Sequence, residues 1–275
     1  MSLLKCPVCG EMLDNINKSY SCPNRHSFDV SAKGYVNLLL SNQMNAKLPG
    51  DNKMMVNARA DFLSKGYYSH LAEEISRTVC ECFAGGVILD AGCGEGYYTE
   101  NIYNALTEKN ISFNMIGIDI SKFACAHAAR RFRNADNCEI AAASIFHLPA
   151  ADSSCSCIVT MFAPFCREEF LRVLKSGGYL IMAIPAENHL INLKSAVYDE
   201  PYKNHTADYA VEGFDFRGSR RVSREIFIDN TEDIRSLFSM TPYYYKTGRE
   251  GHERLEKLTS LRDRADFEVL VYVKK

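Results

Sequence analysis

The chain has 275 residues, enough for one large domain or for a domain with a small appendage. Its hydrophobic fraction of 47% supports a full core, while no run of about 18 apolar residues offers a membrane span. A net charge of −2 excludes a global preference for polyanions, so any nucleic-acid contact rests on local patches. The opening MSLLKCPVCG has neither a long apolar segment nor a cleavage pattern. Eleven cysteines without a secretion signal then point to a reducing compartment, the cytoplasm, and away from a disulfide scaffold.

Residues 1–34 are polar and turn-rich, with too little apolar material to fold without a staple; Met1-Ser2-Leu3 is left out of the fold reading. Cys6-x-x-Cys9, twelve residues, then Cys22-x-x-x-His26 supplies that staple. Each short-spaced pair can offer two ligands from one tight turn, and together they form a tetrahedral Cys₃His zinc site. Four protein ligands leave no open position for water, so the metal is structural. Cys80, Cys82, Cys93, Cys125, Cys138, Cys155, Cys157 and Cys166 read as small apolar fillers.

Residues 35–72 read as a connection, from the apolar Tyr35-Val36-Asn37-Leu38-Leu39-Leu40 through Leu48-Pro49-Gly50-Asp51. Asp51 is the expected cap of a helix over 52–63, with Met54, Met55, Ala58 and Phe62 at near-helical spacing and Gly66 after its end. From residue 73 to 275 the pattern is α/β. After a helix at 71–82 come strand 87–90, helix 97–109, strand 113–118, helix 121–133, strand 138–142, strand 157–161, helix 166–174 and strand 178–184. An insertion at 185–218 precedes strand 220–228 and a helix from Thr231 to Met240. The loop 241–245, a charged helix at 249–262 and strand 267–273 complete the series. Apolar strands separated by helices imply a mostly parallel, seven-stranded sheet covered on both faces.

Strand 87–90 runs into Asp90-Ala91-Gly92-Cys93-Gly94-Glu95-Gly96. Alternate glycines allow a sharp turn and a close ligand approach. Counting from Gly92, the sixth position is Tyr97, so the dinucleotide fingerprint fails. Asp90 followed by Gly92, Gly94 and Gly96 instead resembles the first motif of class I S-adenosylmethionine (SAM)-dependent methyltransferases. On that reading, the turn passes beneath the amino-acid part of SAM and helix-start amides meet its carboxylate. Asp90 accepts from its ammonium or organises the turn. Asp119, ending Met115-Ile116-Gly117-Ile118-Asp119, accepts from both ribose hydroxyls. In Ala143-Ser144-Ile145-Phe146-His147-Leu148-Pro149, Ser144 replaces the usual adenine-reading aspartate. Lys175-Ser176-Gly177-Gly178 resembles the turn before the fifth strand of that superfamily.

The chain as a whole resembles the RlmA-type 23S rRNA guanine-N1 methyltransferases. The resemblance rests on Cys6/Cys9/Cys22/His26, Gly34–Leu39, Pro49-Gly50-Asp51, Met54-Met55 and Ala58-Arg59. It continues through Gly66-x-Tyr68, the Leu89–Thr99 run, Phe162-Ala163-Pro164, Pro185 with His189-Leu190, and Met240-Thr241-Pro242. It implies SAM-dependent methylation of guanine N1 in a 23S rRNA hairpin loop, a homodimer, and zinc domains flanking an RNA cleft. One branch of the family confers macrolide resistance. It also places Tyr68, Gly96, Tyr97 and His189 around SAM. Because guanine N1 carries a proton, His189 is the candidate proton acceptor, with Glu187, His205 and Asp208 behind it. Since one fold serves many acceptors, a small-molecule or quinone-type precursor is the alternative substrate. Local basic residues (Lys5, Lys18, Arg25 and Lys33; Arg130, Arg131 and Arg133; Arg217, Arg220, Arg221 and Arg224) and the aromatics Tyr20, Phe28, Tyr35 and Tyr243–Tyr245 are the candidate RNA contacts.

Overall fold

The computed structural model describes residues 2–40, 50–204 and 209–275. Leu48, Pro49, His205 and Asp208 from the sequence reading lie outside the described residues. In chain order the elements begin with the short strands β1 (Asp14–Ile16), β2 (Ser19–Ser21), β3 (Ser27–Asp29) and β4 (Val36–Asn37). Next are α1 (Lys53–Ser64), α2 (Ser69–Cys82), β5 (Gly86–Ala91), α3 (Tyr97–Glu108), β6 (Phe113–Asp119), α4 (Lys122–Arg131) and β7 (Cys138–Ala142). Then come β8 (Cys155–Met161), α5 (Arg167–Val173), β9 (Leu174–Pro185), α6 (Ile191–Val197) and β10 (Phe214–Ile228). The chain finishes with α7 (Thr231–Ser239), α8 (Tyr243–Lys246), α9 (Arg249–Leu255) and β11 (Leu261–Lys274).

The main sheet runs β10-β11-β9-β8-β5-β6-β7-β4. Pairing is parallel from β9 through to β4, and β11 alone runs against its neighbours. The central strands are apolar on both faces because helices cover both: Ile88, Leu89, Ile116, Ile118, Ile158 and Val159 are all buried. Helix α2 shows the matching logic, burying Leu71, Ala72, Ile75 and Val79 along one stripe.

The sheet has eight strands where the sequence suggests seven. The extra one is β4, inside the expected connection, which pairs parallel with β7 through Val36–Ala141 and Asn37–Ala142. Two residues are too few to show alternation, so this edge strand has no local signature. Asn52, not Asp51, caps α1, its side chain accepting from the Met55 N–H at 3.0 Å. The charged helix expected at 249–262 stops at Leu255, and β11 starts at Leu261. Two buried acids, Asp263 and Asp266, stand among the buried Leu261, Ala265 and Phe267 at its start. Asp263 accepts from the N–H groups of Asn192 (3.3 Å) and Leu193 (2.7 Å), satisfying the open start of α6. A carboxylate serving a distant helix end interrupts the apolar pattern, which is why the sequence pattern opens this strand only at residue 267.

The first three strands form an antiparallel sheet, and this unit is anchored to the body. Leu4, Leu13 and Tyr20 share a core with Leu89, Ile116 and Ile145. Ser2 Oγ and the Leu3 N–H both donate to Glu139 at 2.7 Å, and Tyr20 Oη donates to it at 3.0 Å. Ser2 and Leu3 are thus structural members of the fold. Tyr20 and Tyr243 are buried in core clusters, so they are not exposed stacking surfaces.

Candidate functional site

The four amino-terminal ligand atoms lie within 4.8 Å of one another. Cys6 Sγ and Cys22 Sγ approach His26 Nδ1 at 3.6 and 3.4 Å, and Cys9 Sγ approaches Cys22 Sγ at 3.7 Å. With metal–ligand bonds of about 2.0–2.3 Å, the edges of a tetrahedral zinc site are roughly 3.4–3.8 Å, so these residues fit the metal. The Glu11 N–H and then the Asn24 side chain stabilise the exposed Cys9 thiolate, bringing its pKa down to about 6. Four ligands and a closed tetrahedron make the site structural. Among the other cysteines, Cys93, Cys125, Cys155 and Cys157 are buried and free, and Cys80, Cys82, Cys138 and Cys166 are half-buried and free, as filler residues should be.

The second site lies at the carboxyl ends of β5, β6, β7 and β8. Gly92, Gly94 and Gly96 all have positive φ, at 88°, 57° and 89°. Gly92 is the tightest point: a Cβ there would lie 2.4 Å from Ala163 Cβ. Gly94 has open space, with only Arg59 Nη1 at 4.0 Å. Gly92→Ala should therefore cost about 2–4 kcal/mol through combined backbone strain and overpacking. Gly94→Ala should cost about 1 kcal/mol, since its φ lies in a region other residues visit. Urea denaturation of the two variants checks this, and equal losses would show that the Ala163 contact yields.

Asp119 is tied into the same turn. Its Oδ2 accepts from the Gly94 N–H at 3.0 Å and its Oδ1 from the Ser121 N–H at 2.7 Å. Burial pushes its carboxyl above the usual range, opposed by these two bonds. Asp90 is buried beneath the turn; Thr99 Oγ1 donates to its Oδ2 at 2.6 Å, and its Oδ1 has no partner. Burial raises its pKa to about 7. Asp90 thus ties the end of β5 to the first turn of α3 and keeps one acceptor in reserve. Ser144 Oγ accepts from the Phe146 N–H at 3.2 Å, and the neighbouring Ile145 Cδ1 would lie 3.5 Å from a Cβ on Gly92. The half-buried Tyr97 starts α3, its N–H donating to Glu95 Oε1 at 3.3 Å.

Tyr68 and His189 come together on the opposite flank, with ring centroids 6.0 Å apart and Phe267 packed against both. Tyr68 Oη is buried with no partner. His189 Nδ1 accepts from the Asp266 N–H at 3.2 Å, so the ring proton sits on Nε2. Burial, reinforced by the Lys194 charge, lowers its pKa to about 3. A ring so weakly basic, with its lone pair already engaged, does not suit the expected role of proton acceptor. Glu187 is paired with Lys203 at 2.9 Å.

The depressed histidine has a consequence for stability. Unfolded, the ring titrates near 6.5; folded, it refuses the proton until about pH 3. Its contribution is therefore complete above 6.5 and declines as the pH falls toward 3, by up to about 1.4 kcal/mol per pH unit. His189→Gln should flatten the fall in unfolding free energy between pH 6.5 and 4, read from urea titrations. Parallel curves would mean that the ring charges inside the fold.

Several residues around the turn escape local sequence reading. Arg59 pairs with Asp51 and donates to the Met240 carbonyl at 3.2 Å, while the Asp51 carbonyl accepts from Ser121 Oγ at 2.6 Å. Arg131 pairs with buried Glu95 at 2.8 Å and with Glu100, strapping α4 to the glycine turn. Among the proposed RNA contacts, Arg131, Arg217, Arg220 and Arg221 are engaged this way, the last three with Asp215 at 3.7 Å and with Glu81 and Asp266 at 2.6 Å each. Lys18, Arg25, Lys33, Arg130 and Arg133 carry no such ion pair among the described residues. No sequence spacing signals these long-range partners.

Sheet order, glycine turn and strand-end acid together define a class I SAM-dependent methyltransferase, here carrying an amino-terminal structural zinc ribbon. The buried, unpartnered oxygens of Asp90 and Tyr68, and the open space beside Gly94 in the turn, fit the cofactor. A zinc-ribbon family described as "RlmA, N-terminal" matches residues 4–47, and a "Methyltransferase domain" family matches residues 83–237. The 23S rRNA (guanine(748)-N(1))-methyltransferase of Streptomyces fradiae is 30% identical, over 82% of this chain and 80% of its own. YxjB of Bacillus subtilis, provisionally given the 23S rRNA (guanine-N(1)-)-methyltransferase name, is 29% identical over 99% and 98% of the two chains. Among solved structures, the YcgJ protein of Bacillus subtilis superposes with a TM-score of 0.51 at 14% identity, over 76% of this chain and 99% of that one, a likeness of fold alone. The chain belongs to the RlmA-type 23S rRNA (guanine-N1)-methyltransferase family. No helix among the described residues is long and apolar enough to cross a membrane.

Proposed function

We propose that the chain methylates N1 of a guanosine in a hairpin loop of 23S rRNA. The observation that carries this reading is a Cys₃His ribbon docked on the same body as the methyltransferase crevice, in a chain whose ribbon matches the "RlmA, N-terminal" family and whose sequence is similar to relatives named for that reaction. SAM supplies an activated methyl group when bound. Asp119 then holds the ribose hydroxyls, the Gly92–Gly96 turn lies under the amino-acid end, and Ser144 with its backbone meets the adenine. Tyr68, Tyr97 and His189 complete the enclosure. His189, neutral with its proton on Nε2, orients by donating; its Nδ1, already accepting from the Asp266 N–H, argues against this ring as the base that takes the guanine N1 proton. The target base leaves its stack to reach the crevice.

In the same proposal, residues 1–34 recognise RNA, 35–72 connect, and 73–275 carry the transfer, although Val36-Asn37 also joins the main sheet. A homodimer working in the cytoplasm, its ribbons flanking one RNA cleft, is part of this reading; analytical ultracentrifugation checks the dimer. The decisive experiment incubates unmodified 23S rRNA fragments with labelled SAM and maps the label. Label at N1 of one loop guanosine is expected. Inert RNA with a labelled small molecule would replace this reading by the quinone-type alternative.

A further inference from the structure

Phe162 combines a left-handed backbone with a half-exposed ring. It directly follows β8, and its φ of 57° lies in the left-handed region that bulky residues avoid. The ring gains little burial in exchange, since the residue is 49% exposed. Its centroid lies 5.5 Å from that of Phe267 and 6.3 Å from that of Tyr98, so aromatic rings back it from inside. The next residue, Ala163, makes the close approach to Gly92 described above. The exposed ring thus stands at the rim of the glycine turn, next to the residue that leaves Gly92 no room for a Cβ.

Topology says which ligand this ring meets. The cofactor groups proposed on the sheet itself, the glycine turn, Asp119 and Ser144, occupy the ends of β5, β6 and β7 on one side of the turn, while Tyr68 and His189 reach the enclosure from other elements. β8 flanks β5 on the other side, where the order of strand addition reverses, and ligands of such sheets bind at that crevice. The space over the end of β8 is left to the acceptor. An extruded base presents a flat π-face that an aromatic ring can stack upon whatever its hydrogen-bonding pattern. Resting on the function proposed above, we propose that Phe162 is the stacking platform for the target guanine. The left-handed backbone turns the ring outward to meet the base instead of inward to the core.

The test uses the zinc-loaded full chain and two stem-loop RNAs, identical except that the target guanosine is intact or abasic. Wild type is expected to bind the intact RNA more tightly. Phe162→Ala should abolish that preference and lower kcat/KM for RNA by about 5- to 150-fold, the equivalent of one base–aromatic stack. Its Kd for SAM should stay within about twofold of wild type. Phe162→Tyr should restore preference and turnover, whereas Phe162→Leu, of similar bulk without a π-face, should not. A wild type without the preference, an alanine variant that keeps it, an equal loss of SAM affinity, or full rescue by leucine each overturns the platform. A changed sedimentation coefficient in the alanine variant would assign the ring to a contact between copies and also overturn it. The two readings fail separately. Methylation of guanine N1 with an unchanged alanine variant sinks only the platform, and a ring-dependent preference without guanine methylation sinks only the proposed reaction.

Discussion

Cys22→Ala should release the zinc and unfold the ribbon, the largest single-residue effect expected in this protein. Three thiolates and one imidazole hold the metal, and structural zinc binding contributes about 10–16 kcal/mol that is coupled to folding. The ribbon cannot replace that energy from its own interior. Its strands β1, β2 and β3 have three residues each, and β1 is exposed throughout. The loss does not stop at the ribbon. Leu4, Leu13 and Tyr20 cover Leu89, Ile116 and Ile145, so unfolding exposes a patch of the body's core. Zinc content should fall below one per chain, and amides of residues 2–30 should exchange at near-unfolded rates. A chelator acting on the wild type should reproduce both effects. One zinc per chain and an intact exchange pattern in the variant would remove Cys22 from the ligand set.

Asp119→Ala should lower the affinity for SAM by about 3–6 kcal/mol, more than a hundredfold in Kd. Two hydrogen bonds from ribose hydroxyls to one carboxylate account for that range, at about 1.5–3 kcal/mol each. The substitution also strips the Gly94 and Ser121 N–H groups of their shared acceptor, loosening the turn proposed to lie under the cofactor. Asp119→Asn separates the two effects. An amide keeps the shape and accepts from one N–H, but it turns a donor toward the other and carries no charge. Its fold should therefore hold while most of the affinity is lost. Calorimetric titration measures both variants, and a Kd within twofold of wild type would take Asp119 out of the ribose role.

Much of this molecule is legible along the chain because its signals are local. A zinc turn needs two ligands within a few residues, so Cys6, Cys9, Cys22 and His26 declare themselves by spacing, and their ligand atoms do meet. The glycine turn is equally local: β5 leads straight into it and α3 straight out. The parallel strands read clearly because burial on both faces demands unbroken apolar runs. The failures share one cause. Val36-Asn37 becomes a strand only because the edge of β7 lies open beside it. Asp263 and Asp266 hide the start of β11, which the sequence pattern opens only at residue 267, because their partners, the start of α6 and Arg221, are far away in sequence.

What the amino-acid order determined alone is the zinc staple, the glycine turn, the strand-end acid and the alternation that makes an α/β sheet. Each depends on residues that are neighbours along the chain, where spacing and backbone freedom decide the outcome. Only the folded chain decided that Asp90 serves Thr99, that Arg59 and Arg131 clamp the turn, that His189 is locked neutral, and that Phe162 faces outward. Those properties come from desolvation and from charges brought close by folding, and neither exists until distant segments share one interior.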